Sequence, residues 1–530
     1  MTHSHSLPPW LKKLWIIDRG IWRTMITALV LLVAVGILGW GYYRARPYGK
    51  FGILSWLQSV VIMAPWLIFF GLFAIGVYLN LAGIIFLVVA SIGLYILLGR
   101  QLRSEANENG MTKRFSSMAS AASSEANPKN EPNRSDPPTS EEPPTTRDIQ
   151  SPPQPPTVPT IPSEDLQAIK GIFGIDTFFA TETIPYQNGA IFRGNLRGEP
   201  DQSHDRLSKS LQEQVGDRYR LFLVEGVENK PVVVVLPSSN DPKPTTPLQV
   251  VLSVILIFAT IATSLETSGF LRGFDFFAEP SRYAEVAPTA AGLIAVLAAH
   301  ELGHWFTARR YKIRLSPPFF IPAWQIGSFG ALTRFTSLLP NRSVLFDIAF
   351  AGPIAGGLVA FALLLIGLVL SHPGSLFQIP SDFFQGSILV GTLARVVLGT
   401  EVQKPLVDVH PLFVIGWLGL VITALNLMPA GQLDGGRIIQ SIYGRKVAGR
   451  STVATLIVLG LASLVNPLAL YWAILILFLQ RDLERPALNE ISEPDDARAA
   501  LGLLVLFLMA ATLLPLTPGL AGRLGIGGSF

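Results

Sequence analysis

The chain has 530 residues, 49% of them hydrophobic and 15% charged, with a mean hydropathy of +0.43; several apolar runs exceed the ~18 residues that mark a membrane span, which excludes a soluble protein. The net charge of +4 comes from basic residues set mostly at the ends of those runs, a pattern that topology explains and nucleic-acid binding does not. There is no cysteine, so disulfides, thiolate metal sites and cysteine nucleophiles are out, and a metal would have to be held by histidine and carboxylate.

The pattern predicts a mainly α protein: a polytopic transmembrane helix bundle of about ten spans carrying a small soluble α+β domain. Residues 1–100 read as an N-terminal membrane module of about three spans. Lys12, Lys13, Arg19 and Arg23 precede the first apolar run, and no small-residue cleavage site follows it. A retained span over 25–43 is therefore expected, with Tyr42-Tyr43-Arg44 as an interfacial belt. The run 54–98 is too long for one helix and breaks most naturally near Asn80. Residues 101–162 are a Ser/Asn-rich and then Pro-rich linker, too poor in apolar side chains to fold.

Residues 163–246 have the mixed pattern of a soluble α+β domain. A helix is predicted over 164–173 with Ser163 as its cap, followed by strands over 178–183 and 189–192 and an amphipathic stretch over 206–215. Strands over 220–224 and 231–236 pair as a hairpin across Glu228-Asn229. A membrane core then occupies 247–482, with spans near 248–268, 288–308, 343–369, 410–428, 450–466 and 468–481. The C-terminal segment 483–530 adds one span near 498–516. Positive residues after 308, 436 and 444 put those loops and the soluble domain on the inner, cytoplasmic side, and the acidic loop 274–286 on the outer. Three N-terminal spans would then leave Met1 outside, although its four basic neighbours argue for the inside; the sequence leaves that parity open.

Within the span 288–308 stands His300-Glu301-Leu302-Gly303-His304. On a helix, His300 and His304 lie one turn apart on one face, able to reach one metal ion. Glu301 sits where it can touch a water on that metal without being a ligand. Arg309, Arg310, Lys312 and Arg314 follow, as at the end of a span. The plain alternative is a pair of core histidines satisfied by carbonyls, but ionisable residues are costly inside a membrane and usually functional there. The next apolar run closes on Asn426-Leu427-Met428-Pro429-Ala430-Gly431-Gln432-Leu433-Asp434-Gly435-Gly436-Arg437. Its proline and glycines break the helix, and freed backbone is tolerated at membrane depth only when buried or lining a cavity. Asp434 in that break can supply a third ligand, leaving a fourth position for water.

The remaining histidines are excluded by place. His410 begins the span that ends at 427, roughly 25 Å away at 1.5 Å per residue. His372 lies at the same far surface, and His3, His5 and His204 fall in tails or loops. Between the two motifs, 327–335 alternates small and large residues and reads as a strand or as a surface loop. Asp347 reads as an interfacial group, or one supporting the site from behind, rather than a catalyst.

Together the two motifs, His-Glu-x-x-His and Asn-x-x-Pro-x-x-x-x-Asp-Gly, resemble those of the site-2 protease family of intramembrane zinc metalloproteases. Ala351-Gly352-Pro353 and the glycines after it are similar too, and the resemblance covers roughly 248–479. Gly194-Asn195-Leu196-Arg197 resembles a signature of the family's chloroplast and cyanobacterial branch, the ethylene-dependent gravitropism-deficient and yellow-green proteases; read alone it is a turn before Pro200. The resemblance implies one zinc ion per chain on His300, His304 and Asp434, Glu301 as general base, and Asn426 helping to hold the substrate backbone. It implies 327–335 as a strand dipping toward the zinc. The implied partners are transmembrane protein substrates and the lipid bilayer, with no nucleic acid, in a plasma or thylakoid membrane; nothing fixes an oligomeric state. Two rivals stand beside this reading. A zinc transporter would need polar residues along several spans, and 343–369 and 450–466 offer almost none. A catalytically silent zinc-binding scaffold or chaperone of the same fold is the harder rival, although every motif position is intact here.

Overall fold

The structure, a computed structural model, describes scattered positions between 38 and 101, with 41–74 continuous among them, and 161–526 apart from 187, 227–229, 325, 465 and 481. Most of the expected span 25–43, the break near Asn80, the linker 101–162 and the turn at Glu228-Asn229 lie outside the described residues. The chain divides into units 1–148 and 149–530. In the first, α1 (Gly49–Ala74) is a continuous apolar helix.

The second unit opens with a small sheet domain, the segment expected to be soluble. Helix α2 (Ser163–Lys170) starts one residue earlier than the sequence suggests: Pro162 occupies the cap and Ser163 makes no capping bond. The Pro162 carbonyl already accepts the first helical hydrogen bond, from Leu166 N–H at 2.9 Å, so the serine is carried inside the helix. Strands β1 (Phe178–Tyr186) and β2 (Gly189–Leu196) precede helix α3 (Pro200–Val215). This helix begins six residues before the predicted amphipathic stretch, on a proline in the first turn. His204 is therefore a buried helical residue, not a loop residue. Strands β3 (Tyr219–Glu225) and β4 (Pro231–Pro237) complete an antiparallel sheet of order β1-β2-β4-β3. Alternate strand residues Phe178, Phe192, Leu221, Leu223, Val233 and Val235 meet Leu207 and Leu211 of α3 in one apolar core. The Gly194-Asn195-Leu196 part of the signature is strand, not turn. A side chain at Gly194 would stand 2.0 Å from the Phe179 carbonyl oxygen, beside a bulge in β1, so only glycine fits there.

The membrane core follows. Helices α4 (Pro247–Leu271), α5 (Tyr283–Arg310) and α6 (Arg342–Val369) come first, with a short antiparallel hairpin, β5 (Phe319–Ala323) and β6 (Gly327–Leu332), between α5 and α6 in the chain. After them come β7 (Phe377–Pro380), α7 (Ile388–Leu398), β8 (Leu406–Val409), α8 (Pro411–Asn426), α9 (Asp434–Ala462), α10 (Pro467–Leu475), α11 (Asp496–Leu513) and α12 (Pro518–Leu524). Among the described residues four helices are long and apolar enough to cross a membrane: α4, α5 with the turn before it, α6 and α11. Residues 411–426 and 468–480 form shorter apolar helices. The described residues thus do not reach the expected count of about ten. The expected span 450–466 is the later part of α9, which is bent at Gly444 (φ 78°).

Helix α6 sits at the centre, pressed on by α5 and α8 where side chains are absent. A Cβ at Gly303 of α5 would lie 2.3 Å from the Ala351 carbonyl oxygen, and one at Gly416 of α8 would lie 2.3 Å from Leu364 N. Small residues let helix backbones meet in this way. The hairpin is held against α4 by hydroxyls: Ser253 donates to the Pro318 carbonyl (2.7 Å) and Thr263 to that of Gly327 (2.5 Å). The strand reading of 327–335 therefore holds for 327–332. The pair β7–β8 and helix α7, between 370 and 410, were not anticipated.

The connection before α11 ties the soluble domain to the core. Leu223 of β3 donates to the Leu488 carbonyl (2.8 Å) and accepts from Glu490 N–H (2.9 Å), while Leu488 and Asn489 donate to Leu339 and Pro340 of the core.

Candidate metal centre

His300 and His304 stand on successive turns of α5, and both are buried. Their Nε2 atoms are 3.2 Å apart. Asp434 Oδ2 lies 3.1 Å from Nε2 of His300 and 3.4 Å from Nε2 of His304. Nδ1 of His304 hydrogen-bonds the Ile348 carbonyl at 2.7 Å. That bond makes Nδ1 the donor and leaves the Nε2 lone pair facing its neighbours. Three ligand atoms from buried side chains lie within 4.8 Å of one another. Two imidazole nitrogens and a carboxylate oxygen converging so closely suit a divalent cation such as zinc, with one coordination position left over.

The two sides of this group are built differently. On the histidine side the wall is the backbone of α6. A Cβ at Gly352 would lie 2.2 Å from His304 Nε2, and one at Gly356 would lie 2.9 Å from His300 Cβ. Ala351-Gly352-Pro353 is thus a surface with room for imidazole rings and nothing more. On the aspartate side, α8 ends at Asn426 and α9 begins at Asp434 itself. The turn between them is tight: Cβ atoms at Gly435 and Gly436 would lie 1.9 Å from the Leu427 oxygen and 2.3 Å from the Gly431 oxygen. Its freed backbone groups find partners. Gly431 N–H donates to Thr452 Oγ1 (2.8 Å), Ser451 Oγ donates to the Pro429 carbonyl (2.6 Å), and Gln432 N–H donates to the Gln480 carbonyl (2.9 Å).

Glu301 is partly exposed beside this group and is not among the three. Its Oε2 accepts a hydrogen bond from Thr333 Oγ1 at 2.8 Å, just past the end of β6. Asn426 is buried, and its Nδ2 donates to the carbonyls of Phe329 (3.3 Å) and Ile422 (2.9 Å). It clasps β6 where Gly330 adopts φ 100° and a side chain would lie 2.4 Å from that same nitrogen.

Sequence reasoning missed a clamp behind Asp434. Arg437, one turn into α9, places Nη1 3.8 Å from Asp434 Oδ1 and pairs with Glu484 Oε2 at 2.9 Å. Its Nη2 donates to the Thr333 carbonyl (2.8 Å), and its guanidinium lies 4.9 Å from the Phe335 ring centre. Asp434 therefore turns Oδ2 to the histidines and Oδ1 to the arginine. One signal was available: a cation near a helix N-terminus opposes the helix dipole, so a buried Arg437 needed an acid. Residues 304, 331–334, 426, 432–434, 437 and 480 wall a cavity of about 20 Å³ beside the group.

Among the described residues, the other histidines stay apart from the group. His410 caps α8, its Nδ1 accepting from Leu412 N–H at 3.3 Å. His372 bonds the Pro373 carbonyl (3.0 Å), and His204 meets Ser208 (3.3 Å). Asp347 pairs with Arg498 (2.7 and 2.8 Å) and accepts from Tyr311.

Comparison with known proteins gives the family. Residues 288–466 match the model of peptidase family M50, and residues 167–243 match that of the EGY3 middle domain. The probable zinc metalloprotease EGY2, chloroplastic, of Arabidopsis thaliana is 38% identical over 378 residues, 69% of this chain and 67% of that protein. The probable zinc metalloprotease EGY1, chloroplastic, of the same plant is 36% identical over 402 residues, 68% of this chain and 73% of the relative. The probable zinc metalloprotease EGY3, chloroplastic, of Oryza sativa subsp. japonica is 32% identical over 380 residues, 66% of this chain and 64% of the relative. No solved structure matches the chain. The chain belongs to peptidase family M50, the site-2 protease family of zinc metalloproteases, in its EGY branch.

Proposed function

We propose that this chain cleaves transmembrane protein substrates inside or at the edge of the bilayer, in regulated intramembrane proteolysis. One zinc ion per chain would be held by His300, His304 and Asp434. The observation that carries the reading is the convergence of those three buried side chains on an apolar helix and a helix break, with Glu301 beside them. When bound, zinc supplies Lewis acidity, which makes water nucleophilic at neutral pH and polarises a peptide carbonyl. Glu301 takes a proton from the attacking water and delivers it to the leaving amine. Thr333 holds one oxygen of Glu301, leaving the other for the proton. His304 keeps its orientation through the Ile348 carbonyl, and Asp434 keeps its through Arg437.

A substrate helix hides its carbonyls in its own hydrogen bonds, so it must unwind before it can be cut. An extended stretch can then add to a free strand edge by backbone bonding. The hairpin β5–β6 has only two strands, and Asn426 holds β6 at Phe329; Asn426 thus contributes to substrate binding through that strand. The protein is a multi-pass protein of the plasma or thylakoid membrane, its soluble domain and metal centre on the cytoplasmic side. Arg309, Arg310, Lys312 and Arg314 after α5 support that orientation.

The test uses purified protein reconstituted with a panel of single-span substrates truncated on the soluble side. Zinc-loaded wild type should cut members of the panel. Glu301→Gln should keep its zinc and fold and lose ~10²–10⁴ in rate, the usual contribution of acid–base catalysis. Wild type that cuts none of the panel sinks the protease reading in favour of a silent scaffold. Glu301→Gln cutting at the wild-type rate sinks the role given to that residue.

A further inference from the structure

A second cavity, of about 1030 Å³, lies between the soluble domain and the membrane core. It is at the upper end of the ~300–1,000 Å³ typical of small-ligand clefts, so it has room for a stretch of polypeptide. Residues after β4, among them Asp241 and Lys243, form one side, and Arg334, Gln432, Glu484 and Arg485 belong to the other. Arg334 and Gln432 also wall the small cavity beside His304 and Asp434. The larger cavity therefore adjoins the small one across these two side chains, in the position of an antechamber to the metal centre.

Its charges do not balance. The wall carries two acids and three cations, and both acids are neutralised from outside it. Asp241 pairs with Arg220 at 3.0 Å, and Glu484 with Arg437 at 2.9 Å. Lys243, Arg334 and Arg485 are exposed and make no ion pair among the described residues. Arg334 lies over the Phe319 ring (5.6 Å), and Arg485 donates to the Asn240 carbonyl (3.2 Å); neither contact cancels a charge. A recess lined by one sign of uncompensated charge concentrates its field on whatever enters.

We propose that this antechamber receives an acidic, membrane-proximal segment of the substrate, and that Lys243, Arg334 and Arg485 select for it. The proposal rests on the protease reading and names its substrate class. A polypeptide is the favoured occupant because Arg334 stands two residues past β6, the strand along which the unwound substrate lies. A chain leaving that strand edge passes the arginine before it reaches Lys243 and Arg485. The cations raise capture of an acidic segment and disfavour a basic one, an effect on KM rather than kcat.

The experiment reconstitutes full-length protein in phosphatidylcholine vesicles, which carry no net charge. Three single-span substrates differ only in a membrane-proximal segment that is acidic, neutral or basic. Wild type should prefer acidic over basic by about tenfold in kcat/KM at low salt, through KM, and lose the preference near ~1 M salt, where the screening length is about 3 Å. Lys243→Glu combined with Arg485→Glu should invert the preference, and the exposed single change Lys243→Gln should reduce it. Fluorescence anisotropy of the labelled acidic segment on the Glu301→Gln protein should show the same order without cleavage. Equal cleavage of all three substrates by wild type overturns this proposal and leaves the protease reading standing. The charge-reversed protein slowing on all three by one common factor also overturns it, because the cations would then serve the fold or the lipid surface. A wild type that cuts none of them takes the protease reading down, and this proposal with it.

Discussion

His300 and His304 reach the metal centre from the middle of an unbroken helix, whereas Asp434 reaches it from the first residue of a helix that starts where another stops. The first half is stiff because backbones touch. Helix α5 satisfies its own hydrogen bonds, and α6 presses glycines against both imidazoles. The second half has an irregular backbone, and its order comes from hydrogen bonds supplied at a distance by Ser451, Thr452 and Gln480, with Arg437 and Glu484 behind the ligand. A metal site can thus join a half made by packing to a half made by polar partners. The two halves should fail in different ways.

The largest effect comes from taking a ligand from either half. His304→Ala and Asp434→Ala should each take purified protein from about one zinc per chain to none, since three protein ligands are the minimum of a catalytic site. Elemental analysis decides it. Zinc unchanged after Asp434→Ala would strike that residue from the ligand set.

The next effect probes the packed half alone. Gly352→Ala places a methyl 2.2 Å from His304 Nε2. Helix α6 cannot back away, because a Cβ at Gly367 on its other contact would already lie 2.1 Å from Phe413 N. The ring must move, and zinc affinity should drop about 10–100-fold, the range seen when a ligand's support is disturbed. Gly357→Ala is the control: its methyl meets Thr423 Cγ2 at 3.6 Å, an ordinary contact. Competition with a chelator would measure both. Equal affinity of the two variants would show that the histidine side is softer than its packing suggests.

The polar half is probed by its clamp. Arg437→Met leaves Glu484 buried without its cation, and removing one partner of a buried pair typically costs ~3–5 kcal/mol. Arg437→Met with Glu484→Met should be less damaging than Arg437→Met alone, because Glu484 then no longer stays inside as an unpaired charge. Thermal unfolding of the zinc-loaded proteins measures this. A double variant at least as unstable as the single one would mean the pair stabilises as packing, not as charge.

The same division explains what the sequence made legible. His300 and His304 could be paired on paper because helical neighbours four apart always share a face, and Asp434 because proline and glycines mark a break in an apolar run. Those are local signals. Arg437 finds Glu484 47 residues away, and Thr333 finds Glu301 across 32 residues; no spacing rule reaches that far. The fold divides likewise. Strands of the soluble domain were legible as short runs of β-branched and aromatic residues, while the polar first turns of α3 carry no apolar period to mark the true start at Pro200. Gly352 and the glycines after it in α6 read as family features in the sequence, and only the helix contacts show that Gly352 and Gly356, like Gly303 of α5 and Gly416 of α8, each remove a clash.

The smallest effect lies where the halves meet. Thr333 bonds Glu301 of α5 through its hydroxyl and Arg437 of α9 through its carbonyl. Thr333→Val keeps the shape and the carbonyl and removes only the hydroxyl, so the clamp on Asp434 should persist and zinc content should not change. What is lost is one hydrogen bond steadying the carboxylate that moves the proton. A net hydrogen bond is worth ~0.5–1.5 kcal/mol, or about two- to tenfold in kcat if Glu301 drifts once released. KM should stay put, and Thr333→Ser should restore the rate, since any hydroxyl at that position can donate. Rates for the valine and serine variants that both match wild type would show that Glu301 is held by something other than Thr333. A fall in zinc content in the valine variant would show instead that the hydroxyl supports the ligands, and that the two halves of the site are less separate than their construction implies.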